Sequence, residues 1–139
     1  MPTPVFESDC VVVTYEPEIQ TIHYSWKRFA KGPEFREALE QGLKGAQKFK
    51  ATGWIGDVQL LGVVDDADTQ WVNTDWFPRL LSGSSIAFMA VIVGARAITK
   101  MSVGNIMSKV AGKLVNKYVG TVEEARGWIV GEQRMKKSA

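Results

Sequence analysis

The side chains that most often perform chemistry are scarce in this chain. His23 is the only histidine and Cys10 the only cysteine. A Ser-His-Asp or Cys-His nucleophile would therefore have to be built on His23. A zinc site, which draws several ligands from His and Cys, has one of each available. The expectation is no catalytic set, no bound metal and no cofactor, with His23 a structural or exposed residue. Cys10 stands in a Val-rich run and reads as a small buried hydrophobe rather than a reactive thiol. A lone cysteine forms no intrachain disulfide, which fits a reducing compartment.

Among the carboxylates, Asp57 is the best single candidate. It closes the short apolar run Gly53-Trp54-Ile55-Gly56, where a parallel strand should end at the carboxyl edge that open α/β sheets offer to ligands. Its bland role is to cap the next turn or pair with a nearby base. Asp65, Asp66 and Asp68 could gather a cation, but they lack the glycine turn and distal glutamate of a calcium loop. They are better placed as cap and first-turn acids of a helix. Neither Gly-x-Gly-x-x-Gly nor the Gly-Lys-Ser/Thr of a nucleotide loop is present. Lys27, Arg28 and Lys31 cluster near one hairpin end, and Arg134, Lys136 and Lys137 near the C-terminus. Both groups read as solvated surface.

Tryptophan is abundant: Trp26, Trp54, Trp71, Trp76 and Trp128. Core packing is the default, since each buries ~150–250 Å². Trp71 and Trp76 cannot both sit centrally on one narrow helical stripe, which makes one of them a candidate to face a pocket or a partner, with core packing the bland alternative. Trp54, Trp71 and Trp76 join Asp57 as ligand- or partner-binding candidates.

Positioning these residues requires a layered body. Residues 10–15 are dense in β-branched types, Glu16-Pro17-Glu18 breaks the run, and Ile19 to Trp26 alternates with Ile22, Tyr24 and Trp26 on one face. That pattern predicts a β-hairpin. Gly32-Pro33 opens an amphipathic helix with Phe35, Ala38, Leu39, Gly42, Leu43, Ala46 and Phe49 inward. Gly53 to Val58 is a buried strand. The helix after it carries Trp71, Trp76 and Leu80, and Pro78 should kink or divide it. Ile86 to Val93 reads as a strand covered on both faces, Ser102 to Val110 as a weaker helix, and Leu114 to Val119 as a strand. Thr121-Val122-Glu123-Glu124 is a capping box opening a last helix with Val122, Ala125, Trp128 and Ile129 inward. From Glu132 the charged tail should fray.

The order β-β-α-β-α-β-α-β-α implies an α/β fold, a mixed and mainly parallel sheet with helices packed on it. At 139 residues, with 45% hydrophobic and 23% charged, the chain fits one domain with an ordered core over about 10–130. A net charge of +2 is too small to imply a nucleic-acid partner. No export signal is seen, and the longest apolar stretch falls short of the ~20 residues of a spanning helix. The expected location is cytoplasmic.

Three stretches together, Trp54-Ile55-Gly56-Asp57, Trp71-Val72-Asn73-Thr74-Asp75-Trp76-Phe77-Pro78 and Glu123-Glu124-Ala125-Arg126-Gly127-Trp128-Ile129, resemble small bacterial proteins of the SpoIIAA-like group. Those look like relatives of STAS domains, the sulfate transporter and anti-sigma-factor antagonist family. The resemblance covers roughly residues 10–130 and implies a STAS-like fold and a non-enzymatic regulatory module that binds a protein partner or itself. Antagonists of that kind are phosphorylated on a serine following an aspartate at a helix start. The corresponding Val64 to Trp71 holds no Asp-Ser pair, and Thr69 is its only hydroxyl and hence the phospho-acceptor candidate. A distant similarity of shape to CRAL-TRIO lipid-binding domains implies the alternative, a binder of a small apolar or amphipathic ligand near Trp54, Trp71 and Trp76. An enzyme using Asp57 or Asp65–Asp68 is the third reading.

Overall fold

The first strand, β1 (Thr3–Glu7), pairs antiparallel with β2 (Val11–Glu16), with a register shift between Pro4 and Phe6. This strand lies in the segment expected to be a tail. Pro2 just before it and Pro4 within it hide it, yet an edge strand tolerates a missing donor. The structure is a computed structural model and describes residues 2–62, 64–94, 107–110 and 114–138. A 3-10 turn over Pro17–Ile19, followed by Gln20 at φ 49°, returns the chain as β3 (Thr21–Trp26). Val11 stands opposite Trp26 and Glu16 opposite Thr21, which makes the expected hairpin.

Helix α1 (Pro33–Phe49) opens on Pro33 and buries Phe35, Ala38, Leu39, Gly42, Leu43 and Ala46. It leads to β4 (Gly53–Asp57), parallel to β3. A second helical stretch follows without a break: α2 (Asp66–Trp71), a π-helical turn (Val72–Trp76) and α3 (Phe77–Gly83). Pro78 was expected to kink or divide it. A proline cannot donate to the carbonyl four residues back, and its ring crowds that carbonyl. The widened turn just before it absorbs the misfit, with the Phe77 N–H reaching the Val72 carbonyl.

Strand β5 (Phe88–Ile92) runs parallel to β4. Strand β6 (Met107–Val110) lies at the far edge, antiparallel to β7 (Leu114–Val119), which itself is parallel to β5. Helix α4 (Val122–Ser138) ends the fold. Two expectations are corrected here. Residues 107–110 form a strand, not the end of a helix; pairing with β7 outweighs a short helical spacing. The rest of that expected helix, 102–106, lies outside the described residues. Helix α4 also continues past Glu132, because Gln133 Nε2 donates to the Ile19 carbonyl (2.8 Å) and to Thr52 Oγ1 (3.1 Å). At its start Thr121 Oγ1 accepts the Glu124 N–H at 3.1 Å, as the capping box predicts.

The sheet order is β1-β2-β3-β4-β5-β7-β6, with parallel ladders at the centre and antiparallel ones at both sides. The crossovers β3→β4 and β4→β5 step in the same direction, so right-handed connections put α1 and α2–α3 on one face. That first face holds an aromatic-rich core including Tyr24, Trp26, Trp54 and Trp76. The opposite face holds an aliphatic core in which Ile55, Ala90 and Ile92 meet Ala125 and Ile129 of α4. Among the described residues no helix is long and apolar enough to cross a membrane.

Candidate functional site

Alternation in β3 and β4 sends Tyr24, Trp26, Trp54 and Gly56 to the first face. Tyr24 pairs in register with Gly56, and Gly56 with Val91 of β5. The row therefore runs large, absent, medium across three strands. A Cβ built on Gly56 would meet no atom within 4 Å. Above this gap lies a cavity of about 160 Å³, also lined by Leu61, Val72 and Met89. It sits toward the carboxyl ends of the parallel strands, the usual ligand position in open α/β sheets.

Six rings lining the cavity touch in one continuous chain. Phe35 stacks on Trp26 (5.5 Å between centroids), Trp26 meets Tyr24 (5.9 Å), and Tyr24 stacks on Trp54 (4.8 Å). Trp54 then meets Trp76 edge-on (5.2 Å), and Trp76 meets Phe77 (5.2 Å). The π turn helps to aim the last two. A five-residue hydrogen-bond spacing stacks Val72 next to Phe77 as well as Trp76, so all three reach the cavity.

Two of the polar tips on these rings are engaged outside the cavity. Tyr24 Oη donates to the Ala38 carbonyl and Trp76 Nε1 donates to the Leu39 carbonyl at 3.0 Å, both on α1. Burial holds the Tyr24 phenol well above the ordinary tyrosine range; a backbone hydrogen bond from Gly42 opposes this and the Glu40 charge adds to it. Among the described residues no charged side chain lines the cavity. Its helical wall is clamped from outside. Arg79 of α3 forks onto both oxygens of Glu40 on α1 at 3.0 and 2.7 Å, and that pairing raises the arginine's pKa.

Of the candidates named from sequence, Trp54 and Trp76 converge on this cavity. Trp71 does not line it; half-buried, it packs at the core's margin with the Arg36 guanidinium 5.2 Å from its ring centroid. Asp57 alternates with Gly56 and so faces the other side of the sheet, where its Oδ1 accepts the Gln59 N–H (3.2 Å) and Nε2 (3.0 Å). Thr69 lies exposed on α2, its N–H on the Asp65 carbonyl.

The three aspartates do not act together. Asp65 occupies the N-cap position without a side-chain cap bond, which corrects the capping expectation. Asp68 is fully buried and accepts the Gly32 N–H (2.7 Å) and Arg36 Nε (3.0 Å), tying α2 to the start of α1. Among the described residues no group of three His, Cys, Asp or Glu side chains could hold a metal.

His23 and Cys10 are likewise separated. Cys10 is buried with the first-face core. His23 alternates to the opposite face, where Nδ1 contacts Glu16 Oε2 at 2.6 Å. Arg126 of α4 binds the same carboxylate through Nε (3.0 Å) and Nη2 (3.2 Å). His23 Nε2 is buried and has no hydrogen-bond partner among the described residues. The basic group near the hairpin end is surface, as expected: Lys27 donates to the Ser8 carbonyl and Arg28 pairs with Glu34.

Sequence reasoning missed Tyr24, Trp26, Phe35 and Gly56 as pocket residues. The available signal was a glycine on the apolar side of a buried strand, which marks a bulge or the close approach of another group. No protein-family model, no curated protein and no solved structure matches the chain.

Proposed function

We propose that this chain is a non-enzymatic binding module whose working part is the aromatic cavity at the carboxyl ends of β3, β4 and β5. The observation that carries the reading is the unbroken chain of six rings around an unfilled space over Gly56. The space opens partly to solvent, which leaves a small molecule a route into it. Small apolar ligands bind in preformed apolar concavities. The test is a panel of small molecules of mixed polarity, followed by amide and indole chemical shifts in ¹⁵N-labelled protein. Saturable shifts at Trp54, Gly56 and Trp76 are expected. A panel that leaves those signals unmoved at millimolar concentration would defeat the proposal.

A second reading is a regulatory module of the STAS-like type that binds a protein partner or itself. It is favoured by two exposed apolar side chains, Phe29 (46% exposed) and Leu60 (67% exposed). They follow the parallel neighbours β3 and β4 and so emerge at one end of the sheet. Exposed aromatic and aliphatic residues at one edge suit a contact surface. Native mass spectrometry of the full chain checks it. A subunit equilibrium that weakens in a Phe29→Ser, Leu60→Ser variant supports this reading, and a monomer at all concentrations with no captured partner removes it.

A further inference from the structure

We infer that the cavity selects a neutral aromatic molecule of about one ring, and that the missing side chain at Gly56 is what sets this specificity. The inference rests on the cavity being a binding site and adds the chemical class of its ligand. Three observations carry it.

Size comes first. The cavity measures about 160 Å³, close to the ~150 Å³ apolar cavity known to admit benzene and well below the volume of drug-sized pockets. Next is polarity. Tyr24 Oη and Trp76 Nε1 are engaged with carbonyls of α1, and the polar groups the other rings offer are the neutral indole N–H donors of Trp26 and Trp54. A charged ligand would lose its hydration and find no counter-charge in the wall. Third is the surface presented. Rings in contact prefer offset-stacked or edge-to-face neighbours. Tyr24, Trp54 and Trp76 already show both geometries around the gap. A flat guest above Gly56 can extend either.

Gly56 is the adjustable element. Its Cβ site is open, and its φ is not among the positive values found at Gly32, Gly62 and Gly94. Alanine or valine there is compatible with the strand and occupies the guest's space.

The experiment measures toluene, indole, benzoate and decanoate binding to wild type, Gly56→Ala and Gly56→Val by ¹⁵N chemical shifts. Circular dichroism confirms the fold of each variant. Toluene and indole should bind wild type, with benzoate about a hundredfold weaker than toluene. Gly56→Ala should weaken toluene several-fold and Gly56→Val should abolish saturable binding, with neither variant less stable than wild type. Should valine disturb the strand, the alanine variant alone carries the comparison, because nothing lies within 4 Å of its added carbon. Benzoate binding as tightly as toluene overturns the inference. So does undiminished toluene binding to folded Gly56→Val. Decanoate binding at the cavity while both ring probes fail would overturn the ligand class yet leave the cavity as a binding site. Silence from all four probes would remove both.

Discussion

Replacing Gly42 by alanine sets two effects of opposite sign against each other, and the structure decides between them. In an ordinary helix interior the change stabilises by about 1 kcal/mol, because glycine forfeits more backbone entropy. Here the added Cβ would lie 1.7 Å from Tyr24 Oη and 2.5 Å from Cζ, where carbon contacts normally settle near 3.5–4.0 Å. The ring cannot step aside freely, since it is packed against Trp26 and Trp54. Overpacking of this kind costs about 1–3 kcal/mol. Pulling the phenol off the Ala38 carbonyl leaves a buried group unsatisfied for about another 1–3 kcal/mol. The net expectation is destabilisation of about 3 kcal/mol, roughly a 10 °C fall in Tm for a chain of this size. Urea unfolding followed by far-ultraviolet circular dichroism measures it. In a Tyr24→Leu background, which lacks the ring edge and hydroxyl, Gly42→Ala should regain its stabilising sign. A Gly42→Ala protein as stable as wild type would refute the close approach of α1 and β3 on which the cavity wall depends.

Asp68→Ala should cost about 2–4 kcal/mol in the same urea assay, at the lower end for a buried pair because its Arg36 partner is partly exposed; a loss below 0.5 kcal/mol would contradict the α1–α2 tie. Tyr24 gives a pH signature. Its folded pKa is raised by burial, so above about pH 10 the unfolded chain releases a proton that the folded chain keeps. Stability is then lost with rising pH at about 1.4 kcal/mol per unit, and the wild-type advantage over Tyr24→Phe should shrink between pH 9 and 11; a constant gap would argue against burial of the phenol. Gln133→Ala should free the end of α4 from Ile19 and Thr52 at a cost of about 1 kcal/mol, seen as faster amide exchange after residue 130, and unchanged exchange would mean that the anchor lies elsewhere.

The sequence exposes elements whose periodicity is long and uninterrupted. Helix α1 is legible because its apolar residues recur over 17 positions behind a proline that fits the first turn. The β2–β3 hairpin is legible from β-branched density and the Pro17 break. Strand β1 is not, because Pro2 and Pro4 mimic a tail and only pairing with β2 identifies it. Residues 107–110 show helical spacing, yet four residues carry too little pattern to outweigh an edge ladder. The site divides in the same way. A heavy tryptophan load, and the impossibility of seating Trp71 and Trp76 alike, are visible in the chain. Which of them turns inward depends on the π turn before Pro78. That Asp57 and Trp54 look in opposite directions follows from strand alternation. The void over Gly56 needs the register of three strands, which no single segment encodes.

The division of the sheet into an aromatic side and an aliphatic side makes the molecule a one-sided optical probe. Trp26, Trp54, Trp71 and Trp76 all belong to the side that holds the cavity, and only Trp128 lies with the other core. Intrinsic emission excited at the indole band is thus weighted to the cavity side. A Trp128→Phe protein would confine that signal there entirely, reporting what enters without an added dye.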